Sequence, residues 1–227
     1  LAGRMLVDEQ KQTKPGYAVS EDAELRMLGE EQRYVSRGGL KLEAALAHWK
    51  IHLKGAGCVD VGASTGGFTD CMLQHGAAHV LAVDTGYGQI AESLRTDARV
   101  SLMERTNARK LGAGELKRQW LESKAGAELR FLAMDVSFIS ATLVIPAVLA
   151  AAPELRELVV LVKPQFEAGR ASVGKGGIVR DPAAHALAVE RVRACLAAQG
   201  AVSLEHIDSP ITGAEGNHEF LLHGVLG

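Results

Sequence analysis

Residues 58–68 read CVDVGASTGGF, an apolar run that leads into a turn rich in glycine. A buried strand followed by such a turn and a helix lets backbone N–H groups approach a bound ligand closely. A second apolar run, Val80–Val83, is followed by Asp84. In a doubly wound fold the acid that binds a ribose lies about 20 residues beyond the glycine turn. The two segments together predict a site for a cofactor that contains adenosine.

The middle of this turn separates two classes of cofactor. Turns that bind dinucleotides follow the pattern G-x-G-x-x-G, whereas this chain keeps Gly62 and Gly67 but has Ser64 between them. We therefore favour S-adenosylmethionine, which has no pyrophosphate, over a nicotinamide dinucleotide. In this interpretation Asp60 and the turn amides hold the amino-acid end of the cofactor, and Asp84 accepts hydrogen bonds from its ribose. A turn that only packs a helix on a strand is the structural alternative.

Composition limits the class of protein. The chain has 227 residues, of which 47% are hydrophobic, so one full domain with a small appendage is expected. A net charge of −2 gives no overall signature of nucleic-acid binding, and any RNA contact must come from local basic segments. Three cysteines without C-x-x-C spacing predict neither a disulfide framework nor a zinc site. We expect a cytoplasmic protein without a metal.

The longest apolar region spans residues 131–152 and raises the question of a membrane segment. It contains Asp135 and Pro146 and divides into a strand followed by a helix. We expect a buried core here and no membrane partner.

The order of the elements predicts the fold. Strands are expected near 57–61, 79–84, 99–103, 130–135 and 157–163, and helices near 67–75, 89–95, 114–122, 140–151 and 182–199. This alternation is typical of a parallel sheet covered by helices on both faces. Two further strand-like runs, 201–208 and 219–225, have only a loop between them and predict an antiparallel hairpin. The expected fold class is α/β, with a doubly wound, mostly parallel sheet of seven strands.

The beginning of the chain has a different character. A strand is expected at Arg4–Asp8, a turn at Lys14–Gly16 and an extended segment over 17–27, which together indicate part of a small β module at 1–28. Residues 29–35 are interpreted as a linker. From Ser36, which we expect to cap a helix that runs to Trp49, residues 36–227 form the main domain.

Two charged residues stand at the ends of predicted strands, where open α/β sheets bind their ligands. Asp135 ends one strand and Lys163 ends the next. A lysine that finishes an apolar strand needs a partner for its ammonium group, and Asp135 is the expected one. A purely structural ion pair is the alternative.

Five sequence motifs carry a resemblance to a known family, and they occur in order along the chain. They read SRGGLKL at 36–42, DVGASTGGFTD at 60–70, DVSFIS at 135–140, VKPQFE at 162–167 and GNHEF at 216–220. The chain resembles the TlyA, or haemolysin A, family of S-adenosylmethionine-dependent ribosomal RNA 2′-O-methyltransferases, which have an FtsJ-like catalytic domain. The resemblance implies a Rossmann-like class I methyltransferase that acts on ribosomal RNA or ribosomal subunits, with cytidine as the nucleotide.

The resemblance also implies site residues. The family's catalytic tetrad falls on Lys41, Asp135, Lys163 and Glu219, and residues 1–28 match the second half of an S-four-like RNA-binding module. A ribose hydroxyl must lose its proton when it attacks a methyl group, so a positioned base is needed. Our hypothesis is that Lys163 accepts this proton, that Asp135 and Glu219 orient it, and that Lys41 positions the ribose or its phosphate. A glutamate such as Glu219 also suits a solvent-facing strand end.

Basic segments predict where RNA binds. Three cations precede or open the first helix, and a basic loop that we expect to be flexible, Gly169–Arg180, follows the Lys163 strand. Both suit phosphate contacts. We interpret the loop as a lid that orders when RNA binds, with a solvated connector as the alternative. The predicted RNA-binding residues are Arg4, Arg33, Arg37, Arg170, Lys175 and Arg180.

The predicted cofactor site includes Asn107, which follows the third strand and is expected near the adenine edge. The full set is Asp60, Gly62, Ala63, Ser64, Thr65, Gly66, Gly67, Phe68, Asp84, Asn107 and Asp135. Three other functions stay open: a membrane-lytic protein, a non-catalytic RNA- or ribosome-binding protein and a nicotinamide oxidoreductase.

Overall fold

A computed structural model describes residues 5–14, 16–27, 32–123, 125–213 and 215–227. The chain divides into two compact units, Leu1–Arg33 and Tyr34–Gly227. The division falls inside the segment 29–35 that the sequence analysis interprets as a linker.

The first unit contains a small antiparallel sheet of three strands in the order β2-β1-β3. Its strands are β1 (Met5–Val7), β2 (Gln10–Gln12) and β3 (Leu25–Met27). The sequence analysis missed β2, because Gln-Lys-Gln carries no apolar alternation. Its pairing depends on the two-residue turn at Asp8 and Glu9, whose φ angles are 49° and 62°. Positive φ at both turn positions is what a tight hairpin requires.

The second unit contains a seven-stranded sheet in the order β6-β5-β4-β7-β8-β10-β9. Its strands are β4 (Gly57–Val61), β5 (His79–Val83), β6 (Val100–Met103), β7 (Leu129–Met134), β8 (Glu157–Val162), β9 (Ala201–Asp208) and β10 (Phe220–Leu226). The first five of these are parallel, and β10 lies antiparallel to both β8 and β9. The predicted fold class, including the C-terminal hairpin, is confirmed.

Helices cover both faces of this sheet. They are α1 (Gly38–His48), α2 (Gly67–Gln74), α3 (Glu92–Arg95), α4 (Glu115–Glu122), α5 (Ile145–Ala151), α6 (Pro164–Glu167) and α7 (Pro182–Ala198). One apolar core lies under α1, α2 and α3, and the other lies under α4, α5 and α7. Because both faces are covered, β4 and β5 are buried along their whole length, which explains why they are apolar apart from Asp60 and His79.

Three local expectations need correction. Ser36 does not cap α1: Arg37 holds the cap position without a side-chain bond, and the Ser36 carbonyl accepts from Gly39 N–H at 3.2 Å. The helix expected over 89–95 is limited to α3. The helix expected over 140–151 is a 3-10 turn at Ala141–Leu143 followed by α5. Pro146 lies in the first turn of α5, where its missing N–H breaks no helical hydrogen bond.

In the part of the chain that the structure describes, we find no helix with the length and apolar character needed to cross a membrane.

Candidate active site

The glycine-rich turn after β4 passes directly against the end of β7. Gly62 has a φ of 88°, and a Cβ atom at this position would lie 2.3 Å from the carbonyl oxygen of Asp135. The N–H groups of Gly62 and Ala63 both donate to the Val83 carbonyl, at 2.9 and 3.2 Å. The turn is therefore held between the ends of the two strands that flank β4, and only glycine fits at position 62.

Asp84 connects this turn to the next one along the sheet edge. Its Oδ2 accepts from Ser64 N–H at 2.8 Å, and its Oδ1 accepts from Gly86 N–H at 2.6 Å. A carboxylate oxygen has lone pairs for more than one donor, so both oxygens keep acceptor capacity toward a ligand.

A cavity of about 410 Å³ opens beyond the carboxyl ends of β4, β5 and β7. Its walls contain five of the predicted cofactor residues, namely Gly62, Ser64, Asp84, Asn107 and Asp135. They also contain residues for which no role was predicted, including Gln89, Val136 and Ile139. Gln89 lies in an irregular segment without a sequence signal, whereas Val136 and Ile139 belong to the DVSFIS motif.

A second cavity of about 240 Å³ lies between the turn and the start of α1. Ala63, Thr65, Gly67 and Phe68 line it, together with Arg37 and Lys41. Gly62, Ser64 and Asp135 line both cavities. Nine of the eleven predicted cofactor residues therefore form one continuous surface with Arg37 and Lys41.

Two predicted cofactor residues lie beneath the turn, away from the walls of these two cavities. Asp60 is fully buried, and its Oδ2 accepts from the Thr69 hydroxyl at 2.6 Å. Burial raises the pKa of Asp60 to about 7. Gly66 has a φ of 95°, and a Cβ atom there would lie 2.3 Å from Leu94. Both residues support the turn from within the core.

Lys163 and Asp135 form the ion pair that the sequence analysis expected. Lys163 stands at the carboxyl end of β8, because Pro164 lacks an N–H and begins α6. The Lys163 Nζ lies 2.5 Å from Asp135 Oδ1 and donates to Ser137 Oγ at 2.7 Å. Asp135 itself is held by its N–H, which donates to the Val61 carbonyl at 2.9 Å.

Lys41 and Glu219 form a second ion pair across the site. The distance from Lys41 Nζ to Glu219 Oε2 is 2.5 Å, and the two residues are only 8% and 2% exposed. The alternative of a solvent-facing Glu219 is therefore wrong. This buried pair joins α1 to the start of β10, although Lys41 and Glu219 are 178 residues apart in sequence.

A third cavity of about 360 Å³ is lined by both members of the Lys41–Glu219 pair and by the lysine of the other pair, Lys163. Two aromatic side chains, Phe138 and Phe166, form part of its wall. The Phe138 side chain is 93% exposed and its backbone has a φ of 64°. An exposed aromatic residue in a strained conformation is typical of a functional site. No role was predicted for Phe138 from the sequence, where it lies between Ser137 and Ile139 in the motif DVSFIS.

The segment that carries Ser137 and Phe138 is anchored by the buried carboxylate of Glu167. Its Oε2 accepts from Ser140 Oγ at 2.5 Å and its Oε1 accepts from Ala141 N–H at 2.7 Å. Burial raises the pKa of Glu167, against the effect of these hydrogen bonds. The DVSFIS and VKPQFE motifs are therefore joined at both of their ends. Lys163 contacts Asp135 at one end, and Glu167 contacts Ser140 at the other.

The predicted RNA-binding residues have different placements. Arg37 is exposed beside the second cavity. Arg170, Lys175 and Arg180 are exposed on the segment that follows α6. This segment is not an irregular loop throughout, because it contains 3-10 turns at Arg170–Ser172 and Lys175–Gly177. Arg33 is exposed in the first unit, and Arg4 lies outside the described residues.

Within the described ranges, no three or more His, Cys, Asp or Glu side chains are grouped as metal ligands would be. His218, beside Glu219, stacks on Phe220 with ring centroids 4.9 Å apart.

Comparison with known proteins identifies a matching family and several similar proteins. The family described as FtsJ-like methyltransferase matches residues 34–225. A Bacillus subtilis (strain 168) protein named as a candidate rRNA methyltransferase, YqxC, is 46% identical over 98% of this chain and 76% of its own length. The 16S/23S rRNA (cytidine-2′-O)-methyltransferase TlyA of Mycobacterium tuberculosis (strain H37Rv) is 42% identical over 97% of this chain and 80% of its own. The crystal structure of a candidate hemolysin from Lactococcus lactis has a TM-score of 0.78 and 43% identity, and the match covers 87% of this chain and 90% of that one.

Proposed function

The chain belongs to the FtsJ-like methyltransferase family, and we propose that it transfers the methyl group of S-adenosylmethionine to a ribose 2′-hydroxyl of ribosomal RNA. The observation that carries this proposal is the position of Asp135. It lines the cavity of the glycine turn and also pairs with Lys163, which lines the adjoining cavity. A cofactor site and a candidate base thus meet at one carboxylate. The names of relatives that modify rRNA at a cytidine 2′-oxygen support the same reaction.

The residues of the first two cavities fit S-adenosylmethionine. The turn leaves no room for a side chain at Gly62, so a ligand meets the backbone there. Asp84 offers acceptor oxygens to ribose hydroxyls, and Asn107 lies on the wall of the same cavity. When bound, the cofactor supplies a methyl group on a sulfonium. We assign Asp60 and Gly66 to the support of this turn and the other predicted cofactor residues to the walls of the two cavities.

The chemical role that we propose for the lysines follows from their contacts. When bound, the cofactor would supply its methyl carbon to the ribose 2′-oxygen and keep the electron pair on its sulfur, and Lys163 Nζ, if it has first given up its own extra proton, would accept the hydroxyl proton. Asp135 and Ser137 hold that Nζ in place at 2.5 and 2.7 Å. Lys41, held by Glu219, is positioned to contact the ribose or its phosphate. Alignment of the reacting atoms contributes much of the rate in such reactions.

The surroundings of the third cavity suit RNA. Phe138 and Phe166, whose ring centroids lie 5.7 Å apart, offer faces on which an unpaired base stacks. Arg37, beside the second cavity, and Lys175 and Arg180, on the segment after α6, are exposed cations that suit phosphate contacts. We propose that the nucleotide is a cytidine, that the substrate is presented in ribosomal subunits, and that the reaction takes place in the cytoplasm.

A methyl-transfer assay tests this function. Purified protein is incubated with S-adenosylmethionine labelled in the methyl group and with each unmodified ribosomal subunit, and any 2′-O-methyl group is mapped. We expect label at a cytidine ribose. Lys163→Ala should abolish single-turnover transfer while S-adenosylmethionine binding persists, whereas Lys117→Ala, at an exposed lysine paired with Glu154, should act as the wild type does.

Other outcomes would favour the other functions. Ribosome binding without transfer to either subunit would support a non-catalytic binding protein and overturn the proposal. Release of dye from liposomes by the same preparation would revive the membrane-lytic alternative.

A further inference from the structure

Asn217 belongs to the GNHEF motif but has no part in the chemistry described above. It is only 1% exposed. Its Oδ1 accepts from Val179 N–H at 3.0 Å, and its Nδ2 donates to the Gly177 carbonyl at 2.9 Å. A side-chain amide offers one acceptor and one pair of donors. Asn217 uses its acceptor and one of its donors on the backbone of a single segment, as the backbone of a paired β-strand would.

The backbone of Asn217 is tied to the catalytic side of the molecule. Its carbonyl accepts from Gly213 N–H at 2.9 Å. A Cβ atom at Gly213 would lie 2.6 Å from Oε1 of Glu219, so this turn packs directly against the carboxylate that holds Lys41. Asn217 therefore stands between the segment 174–180 and Glu219.

The segment that Asn217 holds carries two exposed cations. Lys175 and Arg180 are exposed on either side of the bonded residues, whereas Val179 is buried. Gly177 lines the cavity of Lys163. The Val179 carbonyl also contacts His185 Nε2 at 2.9 Å. The centre of the segment is thus fixed to the protein while its charged ends face solvent beside the proposed ribose site.

We propose that Asn217 is a positioning residue that fixes Lys175 and Arg180 beside the Lys163 cavity and so sets where the RNA phosphates bind. Asn217 does not touch the substrate. The inference rests on the proposed function for the role of the RNA, but the hold on the segment is a property of the protein alone. A merely structural Asn217 would affect stability without changing what the two cations contribute.

The first experiment measures the hold without RNA. Asn217→Asp keeps the side chain's size and its acceptor for Val179 N–H but replaces the donor that faces the Gly177 carbonyl. Limited digestion with trypsin should cut after Lys175 and Arg180 about tenfold faster in this variant than in the wild type, since the Gly177 carbonyl has lost its donor and faces a carboxylate oxygen instead. The control is Ser101→Ala, which removes a hydrogen bond to the buried His79 at the other end of the sheet and should leave these cuts unchanged.

A measurement on the wild type covers the case in which Asn217→Asp does not fold. The Val179 amide should exchange its hydrogen slowly, because its partner is a buried side chain. Exchange as fast as that of exposed amides in the same segment would overturn the inference, as would unchanged cleavage of a folded variant.

The second experiment uses the complete reaction. In the wild type, joint replacement of Lys175 and Arg180 by Ala should raise the KM for ribosomal RNA about tenfold. In the Asn217→Asp background the same replacement should raise it by less than about threefold, because cations that are not held contribute little. The affinity for S-adenosylmethionine should not change. Equal effects in the two backgrounds would show a merely structural Asn217.

Failure of the inference and failure of the proposed function are distinguishable. If the wild type transfers no methyl group, the proposed function fails and the RNA role of Asn217 fails with it, whereas the proteolysis still decides whether the segment is held. If the wild type is active and the two backgrounds respond alike, only the inference fails.

Discussion

Asp60 shows how one buried carboxyl group makes stability depend on pH. Burial raises its pKa from the ordinary value of 3.8 to about 7. The hydrogen bond from Thr69 at 2.6 Å acts in the opposite direction but does not offset the burial. At pH values below about 7, the folded chain therefore favours the neutral form of this carboxyl group over its charged form.

The sign of the effect follows from proton linkage. An acid whose pKa is raised on folding stabilises the fold fully below its unfolded pKa, and this stabilisation is lost as the pH rises through the folded pKa. Relative to Asp60→Asn, the wild type's free energy of unfolding should fall between about pH 4 and pH 8, by on the order of 4 kcal/mol. Urea unfolding of both proteins across this range measures the difference. Parallel pH profiles would contradict the raised pKa.

Lys41 and Glu219 differ from Asp60, because here two buried groups of opposite charge stabilise each other. Removal of one member leaves the other uncompensated, and Lys41→Met should lower the free energy of unfolding by about 3–5 kcal/mol. Adding Glu219→Gln should recover part of this loss, because the remaining charge is then removed. Urea unfolding of the single and double variants gives the coupling. Arg99→Met, at the more exposed pair with Asp97, should cost less than about 1 kcal/mol, and an equal cost at both sites would argue against the burial.

At the scale of elements, the site depends on how strand ends meet the turn after β4. The backbone of Gly62 lies against the carbonyl of Asp135, and Glu167 ties the next segment to the end of α6. The ends of the strands and of α6 thus fix the loops between them, and these loops carry the side chains of the candidate site.

Gly62→Ala tests this close approach. The variant should lose S-adenosylmethionine binding and unfold more easily, by about 1–3 kcal/mol, because its Cβ atom would lie 2.3 Å from the Asp135 carbonyl. Gly55→Ala is the matched control, since Gly55 also has a positive φ of 74° but has open space around its Cβ position. Calorimetric binding and urea unfolding measure both variants. A similar loss in the two would attribute the effect to backbone strain alone.

At the scale of the whole molecule, the second unit contains both large apolar cores. It begins two residues before the domain start that the sequence analysis expects. Tyr34 is buried against Gly39, and Val35 N–H donates to Asp70 Oδ2 at 2.8 Å. These contacts make the end of the predicted linker part of the larger unit.

A fragment that consists of residues 34–227 should therefore fold alone and unfold in one cooperative transition, with S-adenosylmethionine affinity within about threefold of the full chain. A fragment of residues 36–227 should be less stable by about 1–3 kcal/mol, because it lacks the buried Tyr34 side chain. Circular dichroism during thermal unfolding compares the two. Equal stability would place the boundary at the position that the sequence predicts.

Much of the fold was predictable because its signals are local. The buried strands β4, β5, β7 and β8 are largely apolar runs that are followed directly by glycine, aspartate or lysine, and the helices between them were predicted from the alternation of elements. The short strand β2 was missed, because its pairing depends on a tight turn. The division of the expected helix 140–151 into a 3-10 turn and α5 was also missed, because it depends on a proline within an otherwise apolar run. The site residues were named from strand ends and from the family resemblance, and their roles remain predictions.

The amino-acid sequence by itself determined the strands of the seven-stranded sheet, the glycine turn, the likeness to a methyltransferase family and the types of side chain available to the site. Tertiary structure alone decided that β10 enters the sheet between β8 and β9, which brings Glu219 to Lys41. It also decided that Phe138 faces solvent and that Asn217 holds the backbone of Gly177 and Val179. The physical reason is that hydrophobic period and turn chemistry act over a few residues, whereas burial and pairing between distant residues exist only after the chain has packed.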